Sequence, residues 1–200
     1  MKIINEYSSR AEHLQNTGYQ VNIEQYLRKG FWIFKQRPEL FLLYAAINLA
    51  IIPFGGALFA GPFSAGFFIV AHRIDRGKFV QIDHLFDGFR NFIPLFLVAV
   101  VSGAMVFLGT LALVLPGIYL AVGYIFAIFF VIFGKLDFWL AMELSRKLVH
   151  REWLSILGLV LVLGVLNILG AMAFGVGILF SIPISYCALY AAFDDIVGAG

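Results

Sequence analysis

Charged residues are scarce in this chain of 200 residues. Asp, Glu, Lys and Arg make up 13% of it and apolar residues 62%, and the mean hydropathy is +0.92. Soluble globular domains do not have this composition, so the sequence predicts a polytopic membrane protein. The net charge of +2 is too small to indicate a nucleic-acid partner. Because Cys187 is the only cysteine, an internal disulfide is excluded.

The groups that carry out chemistry inside a membrane are also missing. Three apolar stretches, residues 40–71, 91–134 and 153–193, contain no Asp, Glu, Lys, Arg or His. Ion-coupled transport, intramembrane proteolysis and di-metal catalysis need such groups at membrane depth. The sequence also has no glycine-rich phosphate loop and no nucleophile elbow. We therefore predict no catalytic residue, no metal site and no cofactor, and a protein that is not an enzyme.

The three apolar stretches have the length of transmembrane hairpins. In the middle one, which is 44 residues long, Leu115, Pro116 and Gly117 separate two arms. Each arm has about 20 residues, enough for a helix to cross a hydrocarbon core of about 30 Å. Both arms are apolar on every side, whereas the strands of a β-barrel would alternate. The first stretch has only 32 residues, so it either spans with Arg73 snorkelling or dips into the membrane without crossing.

The placement of positive charge predicts the topology. Every Lys and Arg lies in one of three stretches, 2–37, 73–90 and 135–151, and none lies in the predicted turns between the arms of the hairpins. Positively charged loops stay in the cytoplasm. We therefore predict a multi-pass protein of the bacterial inner membrane with six transmembrane helices and with both termini in the cytoplasm.

Each charged stretch also contains an amphipathic pattern, so the chain reads as three copies of one unit. The unit is an amphipathic interfacial helix followed by a transmembrane hairpin, with repeats at about 22–76, 81–134 and 137–195. The predicted fold class is an all-α membrane bundle that forms a single domain over 22–198. Residues 1–21 are predicted to be a flexible cytoplasmic tail without secondary structure. Gly30, Gly88 and Ser145 fall at equivalent places in the three repeats.

Several motifs carry a resemblance to a known group of proteins. They are Leu-Phe-Ala-Gly-Pro-Phe-Ser-Ala-Gly at 58–66, Leu-Phe-Asp-Gly-Phe at 85–89, Leu-Pro-Gly-Ile-Tyr-Leu at 115–120, and the segments 141–149 and 183–195. Over about 22–198 the chain resembles uncharacterised bacterial six-helix membrane proteins, which are similar to the membrane domain of some glycerophosphodiester phosphodiesterases. The resemblance implies a fold. It implies no activity, because the catalytic domain of those enzymes is absent from this sequence.

Basic residues next to the predicted membrane boundary suggest contact with lipid. Trp32, Trp139 and Trp153 mark that boundary, and beside them lie the candidate ligands of anionic headgroups, Arg28, Lys29, Arg146, Lys147 and Arg151. The leading hypothesis is a non-enzymatic, lipid-interacting or accessory protein of the inner membrane. Its partners would be membrane lipids, and the spacing of small residues in the hairpins also allows a membrane-protein partner or a homo-oligomer.

The alternative is a small permease or efflux component for a neutral or amphiphilic compound. Its cavity would be lined by polar residues at membrane depth, namely Asn48, Tyr124, Asn167 and Tyr186. The two asparagines could instead bond to neighbouring helices. A third hypothesis is an enzyme acting on lipid at the inner interface, with the histidines and carboxylates of the charged stretches as its acid and base groups. A packed centre of the bundle favours the leading hypothesis and a hollow one favours the permease.

Overall fold

The computed structural model describes residues 2–51, 56–173 and 176–199, and over these residues the chain forms helices and no strands. The predicted all-α class is confirmed. In chain order the elements are α1 (Lys2–Thr17), α2 (Ile23–Gln36), α3 (Pro38–Ile51), α4 (Gly56–Asp75), a 3-10 helix (Ile82–Asn91), α5 (Phe92–Ala112), α6 (Val114–Gly123), α7 (Ala127–Ile132), α8 (Phe138–Arg151), α9 (Trp153–Met172) and α10 (Ile178–Ile196).

Four helical segments within the described residues are long and apolar enough to cross a membrane. They are the 3-10 helix with α5, then α6 with α7, then α9, and then α10. α3 is also apolar but shorter, over Pro38–Ala50. These segments support the predicted membrane protein, and the number of six crossings stays a prediction. Parts of two predicted turns, residues 53–55 and 174–175, lie outside the described residues.

The central turn lies just before the predicted Leu-Pro-Gly sequence. α5 ends because Leu113 adopts an extended conformation, with φ −164° and ψ 145°, and α6 begins at the next residue. Pro116 and Gly117 therefore lie in the first turn of α6. Proline is tolerated there because the amide that it lacks would have no partner within the helix. This second arm is interrupted once more, between α6 and α7.

The structure differs from the prediction at the N-terminus, where residues 2–17 form α1. Tyr7 and Ala11 are buried and Leu14 is partly buried, so a short apolar stripe packs α1 against α8. Tyr7 also meets the ring of Phe130 edge-on, with 6.4 Å between the centroids. The segment is mostly polar, so its sequence alone did not predict a helix, and it is the packing that stabilises α1.

Three amphipathic segments, α2, the 3-10 helix and α8, each pack on the second helical arm of an apolar stretch, and we call these second arms (α4, α6 with α7, and α10) the returning helices. α2 packs on α10, the 3-10 helix on α4, and α8 on α6 and α7. Each contact includes a small residue. A Cβ on Gly30 would come within 2.6 Å of the Ala188 nitrogen in α10, and one on Gly88 within 2.9 Å of Ala65 Cβ in α4. Ser145 of α8 is fully buried at the break between α6 and α7.

The returning helices meet in an aromatic core. Phe68 of α4 contacts Phe129 of α7 with 4.0 Å between ring centroids, and Phe129 contacts Phe193 of α10 at 4.7 Å. Phe67 stacks on Tyr186 at 4.6 Å. The centre of the bundle is therefore packed. α5 and α9, the first arms of the second and third apolar stretches, lie outside this core. Only 11% and 17% of their apolar segments are buried, compared with 44% for α6 with α7 and 50% for α10.

Candidate functional site

Both basic residues that α2 was predicted to offer to lipid are paired within the protein. Arg28 forms an exposed ion pair with Glu24 at 2.7 Å. Lys29 Nζ lies 3.0 Å from Asp75 Oδ2 and 2.8 Å from Asp194 Oδ2. Burial alone would lower the pKa of Lys29, but its hydrogen bonds to the two carboxylates outweigh burial, and the pKa is raised. Carboxylates from two helices therefore hold this ammonium group.

Lys29 is part of a polar network at the point where α4 and α10 end. Arg76 Nη2 donates to Asp194 Oδ1 at 3.0 Å, and the Tyr190 hydroxyl donates to Asp75 Oδ2 at 3.0 Å. His72 Nδ1 lies 3.3 Å from that hydroxyl, so Tyr190 bridges His72 and Asp75. Within the described part of the chain, no group of three or more His, Cys, Asp or Glu side chains could hold a metal ion. Sequence reasoning missed this network, because its members come from separate stretches that only the fold brings together.

Of the basic residues of α8, Arg146 lies in a different setting, in the wall of a cavity of about 410 Å³ between α5, α6 and α8. We call this cavity the α8 pocket. It is lined by Met105, Tyr119, Leu120, Tyr124, Trp139, Met142, Glu143 and Arg146. Arg151, at the end of α8, instead lies beside Gly18, and it is not among these lining residues.

The break between α6 and α7 shapes one wall of the α8 pocket. The Ser145 hydroxyl donates to the Gly123 carbonyl at 2.7 Å and accepts from the Phe126 amide at 3.1 Å. Ser145 thus satisfies backbone groups that the interrupted helix leaves free, as a buried break in an apolar environment requires. Tyr124 lies within this break, and its hydroxyl points to Met105 Sδ on α5 at 3.2 Å. Serine at this place in α8 therefore fixes a tyrosine in the lining.

The charges of the α8 pocket leave one cation uncompensated. Glu143 pairs with Lys147 at 2.8 Å, and this hydrogen bond lowers the pKa of the Glu143 carboxyl. Arg146 has no ion-pair partner among the described residues. The pocket therefore combines a free guanidinium with apolar and aromatic walls. A guanidinium binds phosphate oxygens in a two-pronged geometry, and Trp and Tyr rings suit the membrane–water boundary.

The four residues predicted to line one central cavity lie in three separate places. Asn167 and Tyr186 line a second cavity between α9 and α10. Tyr124 lines the α8 pocket. Asn48 donates to the Tyr44 carbonyl of its own helix at 2.7 Å. A cavity shared by all four residues would have to lie at the centre of the bundle, and the aromatic core fills that place.

Comparison with known proteins adds no relative to this picture. The chain matches no protein-family model, no curated protein sequence and no solved structure. Its class therefore rests on the four long apolar segments found among the described residues. The chain is a helical membrane protein. Its resemblance to the membrane domain of glycerophosphodiester phosphodiesterases stays a prediction.

Proposed function

We propose that this helical membrane protein crosses the bacterial inner membrane six times, with both termini in the cytoplasm, and that it is built from three repeats. The packing order supports the repeats. The amphipathic segment of the first repeat lies on the returning helix of the third, that of the second on the first, and that of the third on the second. Gly30 and Gly88 leave no room for a Cβ against the returning helix, and Ser145, which occupies the equivalent place in the sequence, is hydrogen-bonded to the backbone between α6 and α7. Confinement of Lys and Arg to three stretches supports the cytoplasmic termini.

Within this architecture the α8 pocket binds the headgroup of an anionic lipid and performs no reaction on it. Arg146 carries the proposal, because it is a cation without an ion-pair partner among the described residues and it lies in a cavity with aromatic walls. A lipid phosphate supplies the missing anion, and the glycerol and the first part of the acyl chains lie against Leu120 and Met142. The packed centre of the bundle supports a lipid-binding role over a permease with a central path.

The proposal keeps the resemblance to the bacterial six-helix membrane proteins over residues 22–198. Its support is the set of glycine and proline motifs together with the six apolar arms. The resemblance contributes a fold only, so the role that we propose remains non-enzymatic. Lipids of the inner membrane are the partners.

Replacement of Arg146 by Gln tests this function, since Gln keeps helix propensity and removes only the charge. The matched control is Arg28→Gln, because Arg28 is an exposed and paired arginine on another amphipathic segment. Native mass spectrometry would follow the binding of phosphatidylglycerol and cardiolipin to the purified full chain. Arg146→Gln should weaken binding about fivefold, which corresponds to about 1 kcal/mol, and Arg28→Gln should leave it unchanged. Equal lipid occupancy in the wild type and both variants would remove the basis of the proposal.

A further inference from the structure

The second cavity, of about 370 Å³, lies between α9 and α10 and is distinct from the α8 pocket. We call it the α9–α10 cavity. Its volume is in the range of small-molecule sites. Its walls are apolar, with side chains such as Val160, Leu163 and Ile182, except for a polar patch formed by Asn167, Ser185 and Tyr186. None of its described lining residues carries a charge.

The hydrogen bonds of this polar patch fix the orientation of the Asn167 amide. Asn167 Nδ2 donates to the Leu163 carbonyl and to Ser185 Oγ, both at 2.9 Å. These two bonds use both amide protons. The Leu163 carbonyl accepts only, so the amide is not reversed. The hydroxyl of Ser185 in turn donates to the Ser181 carbonyl at 2.8 Å.

The oxygen atom of the Asn167 amide remains without a hydrogen bond within the described part of the chain. Asn167 Oδ1 is buried, and it has no hydrogen-bond partner among the described residues. A buried acceptor without a donor is unfavourable, and such groups in native proteins usually bind a water, an ion or a ligand. The Tyr186 hydroxyl does not fill this role, because it lies 3.0 Å from Ser64 Oγ and makes no hydrogen bond to Asn167 Oδ1. The site therefore lacks one hydrogen-bond donor.

We infer that the α9–α10 cavity binds an uncharged amphiphile, a single acyl chain with a hydroxyl headgroup that donates a hydrogen bond to Asn167 Oδ1. The unpaired acceptor selects a donor, the absence of charge from the described lining selects a neutral headgroup, and the apolar walls select a hydrocarbon chain. Asn167 lies about 21 Å along α9 from Trp153, at 1.5 Å per residue, so the headgroup is bound deep within an apolar helix. This site is independent of the anionic lipid in the α8 pocket.

The chain offers two ways to disable the cavity. Asn167→Leu removes the acceptor at nearly constant volume, and its matched control is Asn48→Leu, which changes an asparagine outside the cavity lining. Gly164→Leu fills the cavity, since no atom of the described residues lies within 4 Å of a Cβ placed there. Its matched control is Gly103→Leu in α5, where a Cβ also meets nothing within 4 Å among the described residues.

The test titrates the purified full chain with monoolein and with methyl oleate, which shares the acyl chain but has no hydroxyl, and measures occupancy by native mass spectrometry. The wild type and both control variants should bind monoolein about tenfold more tightly than methyl oleate. Asn167→Leu should bind the two probes equally, and Gly164→Leu should bind neither. If Asn167→Leu retains the preference, or if Gly164→Leu binds monoolein as the wild type does, the inference is wrong. Equal binding of the two probes by the wild type would also overturn it.

Discussion

The amphipathic helices α2 and α8 carry similar sequences into different surroundings. Each has an adjacent arginine and lysine beside a small residue that contacts a returning helix. Lys29 comes one residue before Gly30, whereas Arg146 comes one residue after Ser145. Successive residues turn by about 100° around a helix, so the two basic side chains leave the contact roughly 200° apart. Lys29 meets carboxylates, and Arg146 meets a cavity.

Whether the basic residue of an amphipathic helix is paired depends on the acidic residues of the helices beside it. Asp194 lies in the last turn of α10 and Asp75 is the last residue of α4, and these carboxylates bind the ammonium of Lys29. The arm formed by α6 and α7 belongs to a stretch without acidic residues, so it offers Arg146 no such partner. A basic pair in an amphipathic helix therefore does not by itself indicate a lipid contact. The chemistry of the helix against which it packs is also needed.

The first prediction concerns the topology, which places α2 and α8 on the same side of the membrane. Its readout is all-or-none, because a cysteine is either labelled from outside the cell or protected. Single cysteines in a Cys187→Ala background would replace Lys78, Lys147, Leu115 and Met172. An impermeant maleimide should label positions 115 and 172 in cells whose inner membrane is intact, and should label 78 and 147 only after permeabilisation. Labelling of Lys147→Cys in intact cells would place α8 on the periplasmic side and would contradict the six-span topology.

The largest effect on stability is expected at the contact of α2 with α10. Gly30→Leu should destabilise the protein by about 3 kcal/mol, because the side chain would overlap the backbone of Ala188. Gly103→Leu, at an open position of α5, should change stability little. Thermal unfolding in nanodiscs measures both variants. A Gly30→Leu protein as stable as the Gly103→Leu control would mean that α2 does not rest on α10.

A smaller effect on stability is expected to distinguish Lys29 from Lys147. Lys29→Met should destabilise the protein by about 2 kcal/mol, since it leaves Asp75 and Asp194 without their shared ammonium group. Lys147→Met removes an exposed pair with Glu143 within one helix and should lower stability by about 0.5 kcal/mol or less. The same unfolding assay compares them. Similar losses in the two variants would contradict the assignment of Lys29 as an internal cation.

The pH dependence of the Lys29 effect gives the finest distinction. Its pKa in the folded protein is raised above the ordinary lysine value of 10.5. A raised pKa means that the contribution to stability is complete below the unfolded value and is lost as the pH rises through the folded value. The difference between the wild type and Lys29→Met should therefore stay constant from about pH 6 to 9 and decline only above about pH 10.5. A decline below pH 9 would exclude the paired ammonium.

The sequence predicted those parts of the fold that depend on one segment at a time. The charge-free stretches gave the helical class and the apolar segments, because length and composition alone decide whether a helix can span a membrane. Gly30, Gly88 and Ser145 also stood out by position. Their contacts did not, because a contact depends on which two helices meet. The same limit explains α1, whose sparse apolar stripe becomes a helix only against α8.

The candidate site was only partly accessible from the sequence. Arg146 was among five predicted headgroup ligands, and nothing in the sequence separated it from Lys29. Asn167 and Tyr186 were proposed for one cavity with Asn48 and Tyr124, whereas the structure distributes these four residues over three places. A polar residue at membrane depth indicates that its side chain needs a hydrogen-bond partner. The sequence does not show which neighbouring group is that partner.

Photo-crosslinking at two matched tryptophans tests whether the α8 pocket binds an anionic lipid while the surface of α2 does not. Trp139 lies in the α8 pocket and Trp32 lies on α2, and they are 54% and 50% exposed. Benzoylphenylalanine at each position would be irradiated in membranes, and the lipid adducts identified by mass spectrometry. We expect phosphatidylglycerol to be enriched over phosphatidylethanolamine at position 139 and not at position 32. We also expect Arg146→Gln to abolish the enrichment. Equal enrichment at both positions, or enrichment that survives Arg146→Gln, would contradict the binding of anionic lipid in the α8 pocket.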